Sequence, residues 1–324
     1  ASTSIGVTRY NLYTKFGFRE GDGLEVSHRF PRGPGDLQHD VLFVDDERAP
    51  HYELGVDGER ILARGLEGKG ILLVTHGVQQ AVMTQETLDT DGSRTNLKVA
   101  REQSGTTEAI ARLEIGWSGW NGHAVTADFE TAYNLLDNDL ILTEDSGAGP
   151  STITVPHANS RVREVRGDIL LKDTWSPGVW LIDYGLGAEV SRITQTGDAG
   201  QERTFLYFKP SMLLTHTPDQ TQQTRLRLEK EVSQLDFNDF VSTTVFVDDD
   251  LALGNPDLRP ETTWIAELSH ERRFGTLSVA SLTGFHHWIS DVLDLLPVSD
   301  RFEVPGNVGD GRRWGVEVNG TLPL

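Results

Sequence analysis

The chain has 324 residues, a formal net charge of −20 and no cysteine. A nucleic-acid-binding groove is therefore not expected, because phosphate contacts need clustered Lys and Arg. The lack of thiols excludes disulfide scaffolds, thiolate metal sites and cysteine nucleophiles. No apolar run approaches the ~20 residues that a membrane-spanning helix needs. The 37% hydrophobic content is typical of a soluble domain, but a transmembrane β-barrel has a similar composition because only alternate residues face lipid.

Alternating apolar and polar residues predict long strands along most of the chain. Globular strands are typically ~5–6 residues long, whereas a tilted strand that crosses a membrane needs at least ~9–11. Successive long strands without helices between them predict an antiparallel meander. In chain order, the alternating segments lie at 10–18, 109–117, 125–135, 179–193, 206–214, 225–233 and 263–271.

The predicted connections are of two sizes. Tight turns are expected at 117–122, 175–180, 216–220 and 272–276, and long polar loops at 137–160, 236–260 and 290–311. Short turns on one rim and long loops on the other are typical of an outer-membrane barrel. A soluble sandwich usually spreads its loop lengths over both ends.

Four tryptophans flank two of the short turns: Trp117 and Trp120 at the first, and Trp175 and Trp180 at the second. Indole rings favour the membrane–water interface, so these residues are predicted to belong to an aromatic girdle. The alternative is that they are ordinary core aromatics or aromatics that stack across a hairpin.

The faces opposite the apolar residues carry charge. Arg225, Arg227, Glu229 and Glu231 share one side of a single predicted strand, and Leu226, Leu228 and Val232 share the other. A small soluble barrel would instead fill its interior with aliphatic side chains. The four charged residues are therefore predicted to face the lumen of a barrel that is apolar outside. A soluble sheet with one solvated face would show the same alternation, but it must cover its apolar face with another layer.

The segment GNPDLRPETTWIAELSHERRFG, from Gly254 to Gly275, turns through two prolines into an alternating strand. It resembles the Gly-Asn-Pro-x-Leu-x-Pro-Glu motif of TonB-dependent outer-membrane receptors, and NVGDGRRWGVEV (307–318) resembles a second motif of that family, in family order. The residues that match the two motifs are Gly254, Asn255, Pro256, Leu258, Pro260, Glu261, Asn307, Gly309, Gly315, Val316 and Glu317.

The turn chemistry of the first motif is expected to close a surface loop. Asn255 and Pro256 would form the turn, Leu258 would pin it, and Pro260 would end the loop before the strand begins. Trp264, Ala266 and Leu268 would then face lipid, and Glu267 and Glu271 would face the lumen.

The resemblance implies an all-β antiparallel transmembrane barrel in the outer membrane of a Gram-negative bacterium. Neither the plug domain of the family nor its aromatic-terminated last strand is found in the sequence. Residues 1–324 are therefore expected to be a partial barrel that supplies ~14 of the family's ~22 strands. Because strand number, tilt and shear are linked, an open curved sheet is expected rather than a smaller closed barrel.

No catalytic motif, metal-site motif or cofactor site is recognised in the sequence. His286 and His287 are adjacent, so in a strand they point to opposite faces and cannot chelate one ion. Asp137 with Asp139, and Asp248 to Asp250, fall in predicted long loops that could attract calcium. Both lack the glycine and terminal glutamate of a calcium-binding loop, so solvated acidic loops are expected there.

The resemblance implies energised uptake of a scarce ligand, such as a ferric siderophore, a corrinoid or an oligosaccharide. The implied partners are TonB, reached through a plug domain, and outer-membrane lipid with lipopolysaccharide; nucleic acid is not one of them. No covalent chemistry is expected. The alternatives are a passive outer-membrane channel, a barrel enzyme with a nucleophile–base cluster near the outer rim, and a soluble secreted β-rich binding module.

Overall fold

The computed structural model describes residues 8–30, 39–198, 200–245, 250–275, 278–299 and 302–322. About four fifths of them are strand, and the helical structure within these ranges is one 3₁₀ turn, Phe237–Phe240. No helix in this part of the chain is both long and apolar enough to cross a membrane. The strands are β1 Thr8–Arg29, β2 His39–Ala63, β3 Leu66–Leu88, β4 Arg94–Trp117, β5 His123–Asp145, β6 Ser151–Ile153, β7 Ser160–Trp175, β8 Trp180–Gly197, β9 Gln201–Asp219, β10 Gln222–Val232, β11 Thr243–Val245, β12 Asp250–Ala252, β13 Thr262–Phe274, β14 Ser278–Ser290, β15 Leu293–Ser299, β16 Phe302–Asn307 and β17 Gly311–Thr321.

The long strands form one antiparallel meander. Their order is β1-β2-β3-β4-β5-β7-β8-β9-β10-β13-β14-β17, and β6 adds to β5. Within the described ranges β1 and β17 share no ladder, so the sheet is open and the expected all-β, incomplete barrel is confirmed. The meander has 12 strands where ~14 were predicted. Two small hairpins, β11–β12 and β15–β16, lie in connections that were predicted to be long loops.

Antiparallel pairing places every second connection at the same rim. The connections at 64–65, 118–122, 176–179 and 220–221 lie at one end of the strands, here called the short-turn rim. The opposite end, the long-connection rim, carries residues 146–159 and the described parts of 233–261 and 291–310, and it also carries the short β3–β4 connection 89–93 and the short β8–β9 connection. The three long connections therefore lie at one rim, as predicted, but short connections occur at both rims.

The boundaries of the first long connection differ from the prediction. Asp137 and Asp139 lie inside β5, which continues to Asp145, and are not loop residues. Asp137 forms an ion pair with Arg161, its direct partner on β7. This cross-strand pairing offsets the low strand propensity of aspartate. Of the other predicted acidic loop, Asp248 and Asp249 lie outside the described residues, and Asp250 begins β12.

The two faces of the sheet have opposite character. On β8, Tyr184, Leu186 and Val190 are 46%, 57% and 47% exposed, whereas Glu189 and Ser191 on the other side are 9% and 3% exposed. Cross-strand partners share a face, so the sheet has an apolar and a polar face. The polar face is covered on β5, β7 and β8, whereas β1 and β17 are largely exposed on both sides. A sheet that exposes its apolar side and covers its polar side is the reverse of a soluble barrel.

The core of the molecule lies on the polar face, beneath the long connections. Val155 and Ala158 of connection 146–159 pack on Ala100, Leu140 and Leu142. Residues of connection 233–261 pack on an apolar part of the same face: Phe240, Val241 and Leu258 contact Leu136, Val162 and Ile193. The two connections also bond to each other, because the Ser242 hydroxyl donates to the Pro156 carbonyl at 2.6 Å. Together these two connections form a lid over one end of the polar face.

Candidate functional site

The middle of the polar face carries a network of ion pairs across β5, β7, β8 and β9. Lys209 donates to Glu189 at 2.8 Å and also to Asp168. Arg166, whose side chain is 7% exposed, lies 3.1 Å from Glu130 and 3.3 Å from Asp168. Removing such charges from water is costly unless each one is paired. The pairing therefore presents a fixed, charged surface on the covered side of the sheet.

The lid begins within this network. Gln234 follows β10, and with its amide oxygen turned toward Arg166 it accepts a hydrogen bond from that guanidinium at 3.0 Å. The first residues of connection 233–261 are therefore held by a charge-assisted hydrogen bond to the polar face. Nothing in the sequence pattern pairs these two residues, which are 68 positions apart (234 − 166).

The first motif folds onto the polar face as part of the lid. Gly254, Leu258 and Pro260 are buried, and Leu258 is fully buried in the apolar cluster. A Cβ on Gly254 would lie 2.4 Å from the Phe240 carbonyl oxygen, so only glycine fits this close approach. Asn255 closes the turn by accepting from the Asp257 N–H at 2.8 Å, as an Asx turn does. Leu258 is thus buried beneath the turn, and its role in pinning the loop remains a prediction.

Arg203 on β9 fixes the same turn from below. Its guanidinium donates to the carbonyl of Pro256 at 2.7 Å and also to the carbonyl of Leu258. Neighbouring Gln201 donates to the Asp257 carboxylate at 2.8 Å. Two backbone carbonyls of a proline-containing loop, which lacks strand partners, are satisfied in this way.

The second motif contacts the first. The Asn307 side chain accepts from the N–H of Arg259 at 2.9 Å and donates to the carbonyl of the same residue at 3.0 Å. It also donates to the Asp291 carbonyl at 2.8 Å. Asn255 donates to the Pro305 carbonyl at 2.8 Å, and Glu261 accepts from the Leu293 N–H at 3.3 Å. The two motifs are therefore one structural unit that joins the last two long connections.

The remaining residues of the second motif lie in the turn and in the edge strand. Gly309 has φ of 113°, which only glycine adopts readily, and its carbonyl accepts from Val292. Gly315 leaves room for the Phe285 ring, whose nearest atom would be 2.8 Å from an added Cβ. Val316 is exposed on the apolar face, and Glu317 pairs with Thr283 on the polar side.

The four predicted lumen charges share the polar face with the ion-pair network. Arg225, Arg227 and Glu229 are cross-strand partners of Thr215, Leu213 and Ser211 on β9. Arg227 pairs with Glu229 and lies 3.1 Å from Glu231. Leu226 and Leu228 lie on the apolar face. The charges and the leucines therefore lie on opposite faces of the strand, and the lining of a lumen by these charges remains a prediction.

The four predicted girdle tryptophans lie at the short-turn rim. Trp117 and Trp120 approach within 5.1 Å between ring centroids, and Trp175 stacks on His123 at 5.6 Å. Trp180 stacks on His216 at 4.0 Å. The sequence did not predict that His123 and His216 stack on these tryptophans, because a single histidine in an alternating segment gives no indication of its contacts. A membrane girdle at this rim remains a prediction.

A second tryptophan set lies toward the long-connection rim. Trp264, Trp288 and Trp314 are all exposed on the apolar face, and Trp264 is the direct partner of Trp288. Trp264 was expected to face lipid, whereas Trp288 and Trp314 were not singled out from the sequence. The seven tryptophans of the chain thus divide between the two rims.

The described residues hold no group of three or more His, Asp or Glu side chains that could bind a metal ion. His286 pairs with Ala266 and Trp314 on the apolar face, while His287 pairs with Ile265 and Arg313 on the polar face. The two imidazoles therefore point away from each other.

Comparison with known proteins gives the family. A sequence profile described as "TonB dependent receptor-like, beta-barrel" matches residues 4–323. The chain belongs to this TonB-dependent receptor β-barrel family. No curated protein sequence matches it.

Solved structures share the fold. The siderophore receptor PirA from Pseudomonas aeruginosa superposes with a TM-score of 0.51 at 12% identity, covering 100% of this chain and 61% of that one. The copper transporter OprC gives 0.52 at 10% identity, with 99% and 59% covered. The RagAB peptide transporter gives 0.55 at 11% identity, with 98% and 47% covered. The chain thus spans less than two thirds of the length of each.

Proposed function

We propose that this barrel belongs to an outer-membrane receptor that takes up a scarce ligand with energy delivered through TonB. The observation that carries the proposal is the lid of long connections, which lies over a charged polar face in a chain of this family. In this arrangement the long-connection rim faces the exterior and captures ligand. The polar face then lines the passage, and the exposed apolar face contacts lipid in the outer membrane of a Gram-negative bacterium.

The ligand class is a small molecule or an oligosaccharide. Structures with the same fold are described as a siderophore receptor, a copper transporter and a peptide transporter. These descriptions differ from one another, so fold likeness does not choose a ligand, and the candidates remain the ones that the family resemblance implies: a ferric siderophore, a corrinoid or an oligosaccharide. The proposed process is binding and translocation, without a covalent step, and TonB acts through a plug domain.

Uptake by intact cells tests the proposal. Cells that express the full-length protein are compared with cells that lack it, each with and without functional TonB, using labelled ferric siderophores, corrinoids and oligosaccharides. We expect saturable uptake of one ligand class that requires both the protein and TonB. Non-saturable uptake that continues without TonB would instead identify a passive channel.

A further inference from the structure

Two of the chain's ten asparagines, Asn121 and Asn319, are followed by glycine. This order matters because the backbone nitrogen of the next residue can attack the side-chain amide carbon of asparagine. A Cβ on that next residue hinders the attack, and glycine has none. The two Asn–Gly pairs lie in different local structures, so they differ in reactivity.

The first pair lies in a turn. Asn121 and Gly122 belong to connection 118–122 between β4 and β5, and both residues are exposed. Gly122 has φ of 78°, a left-handed conformation. Neither the Asn121 side chain nor the Gly122 N–H has a hydrogen-bond partner in the part of the chain that the structure describes. No bond therefore holds the attacking nitrogen or the amide in place, and water reaches both groups.

The second pair lies in a strand. Asn319 pairs with Ser281, and Gly320 pairs with Ala280, in the β14–β17 ladder. The extended backbone of a paired strand holds the Gly320 nitrogen away from the side-chain carbon of Asn319. Reaction at this pair requires the ladder to open first, which costs free energy. Asn319 is exposed, as Asn121 is, so the two sites differ in backbone structure and not in access to water.

We propose that Asn121 is a site of spontaneous deamidation. The Gly122 nitrogen loses its proton to hydroxide and bonds to Cγ of Asn121, and the bond from Cγ to the side-chain nitrogen breaks, which releases ammonia. Water then opens the resulting cyclic imide. Cleavage of the new Cγ–N bond gives aspartate, and cleavage of the original bond between the Asn121 carbonyl carbon and the Gly122 nitrogen gives isoaspartate. The reaction consumes water and adds a negative charge to the turn.

The isoaspartate product alters contacts between the turns of the short-turn rim. Isoaspartate inserts an additional carbon into the backbone directly before Gly122, whose carbonyl accepts from the Ser176 N–H at 2.8 Å and from the Ser176 hydroxyl at 3.2 Å. The displaced carbonyl loses both donors. Turns of this rim are joined by backbone bonds of 2.7–2.8 Å, from Ser118 to Gly65, from Ser176 to Gly122, from Thr217 to Val179 and from Arg273 to Thr221. The conversion therefore disconnects one turn from the next and leaves the other three joints in place.

Ageing of the full-length protein, purified in detergent and kept in mildly alkaline buffer, tests the proposal. Peptide mapping by mass spectrometry follows the conversion of Asn121 and of Asn319 in the same sample, and enzymatic methylation identifies isoaspartate. We expect Asn121 to convert at least tenfold faster, since each ~1.4 kcal/mol of opening free energy slows the reaction at Asn319 about tenfold.

Hydrogen exchange at the Ser176 amide measures the effect on the rim. Exchange should be faster in the aged wild type than in the fresh protein. It should not change on ageing in Asn121→Gln, which keeps a side-chain amide but closes its larger ring far more slowly. The Thr217 amide, which bonds to the next turn, is the internal control and should keep its exchange rate in all samples.

Equal conversion of Asn121 and Asn319 would overturn the proposed site. So would an Asn121 that stays intact in the folded protein under conditions in which it converts in the urea-unfolded protein. Unchanged Ser176 exchange after isoaspartate has formed would overturn the effect on the rim. Neither measurement depends on ligand uptake or on TonB, so a failure of the proposed transport function would leave both results unaffected.

Discussion

Asn307 bonds to both backbone groups of Arg259, accepting from its N–H at 2.9 Å and donating to its carbonyl at 3.0 Å. One side-chain amide thus replaces a strand partner for a residue in the first motif. Its second donor hydrogen reaches Asp291 at the start of the β14–β17 connection. Asn307 therefore joins two long connections whose bonded residues, 259 and 307, are 48 positions apart.

Replacing Asn307 by Ala should loosen this junction. Up to three hydrogen bonds are lost and backbone groups of a loop are left without partners, so we expect a cost of roughly 1–3 kcal/mol in local stability. Hydrogen exchange at residues 254–261 measures the free energy of local opening. Asn319→Ala on β17 is the control, since Asn319 is exposed. Equal exchange in the two variants would show that the Asn307 bonds do not hold the junction.

Leu258→Ala should release the lid from the polar face. The side chain is fully buried among Leu136, Val162 and Ile193, and truncation of a buried leucine costs about 2–5 kcal/mol. The Asn255 amide, which donates to the Asp239 carbonyl at 2.8 Å, should exchange much faster than in the wild type. Leu295→Ala, at a position 58% exposed, should leave this amide protected. Continued protection in Leu258→Ala would mean that other contacts suffice to hold the lid.

Lowering the pH should stabilise the part of the lid around Asp239. Burial, together with the nearby Asp236 carboxylate, raises the pKa of Asp239. Asp239 therefore binds a proton more tightly in the folded lid than in the unfolded chain. Its contribution to stability should rise as the pH falls through the folded-state pKa, and should level off below the unfolded-state pKa.

Exchange of the Asn255 amide, followed from pH 7 downward and corrected for intrinsic exchange, measures this effect. Asp239→Asn removes the titrating group, so its opening free energy should change less over the same range. If the two proteins show the same pH profile, the Asp239 carboxyl does not couple to the lid.

The two tryptophan sets should lie at the two opposite interfaces of a bilayer. In the full-length protein in lipid vesicles, single-tryptophan variants that retain Trp175 or Trp288 should be quenched most by lipids brominated near the head group. An indole at the membrane interface has this property. Maximal quenching by bromine near the chain ends would place the residue in the bilayer centre and remove it from a girdle.

Much of the fold follows from sequence patterns because strand alternation is a local property. The apolar series Tyr184, Leu186 and Val190 on β8 falls on one face, as its spacing predicts. Leu258 is buried as the turn chemistry suggested. Asp137 lies in a strand and not in the predicted loop. Its ion pair with Arg161, which offsets the low strand propensity of aspartate, joins two different strands and so cannot be seen in the local sequence.

Contacts that depend on the register of distant strands could not be predicted from the sequence. The bonds from Asn307 to Arg259 and from Gln234 to Arg166 join separate connections and strands, and no local period encodes them. Lys230, Trp264, Trp288 and Arg312 likewise become neighbours only after four strands are aligned. Local pattern determines which face a residue takes, and pairing determines which residues become neighbours.

The proposed function depends on the apolar face contacting lipid and the polar face contacting water. Cysteine accessibility along β10 measures this orientation most directly. The chain has no cysteine, so Arg225→Cys, Leu226→Cys, Arg227→Cys and Leu228→Cys each add a single thiol to it. In full-length protein in the outer membrane of intact cells, a water-soluble maleimide should label positions 225 and 227, and should leave 226 and 228 unlabelled. Labelling of all four positions, or of 226 and 228 alone, would contradict a lipid-facing apolar side and a water-filled polar side.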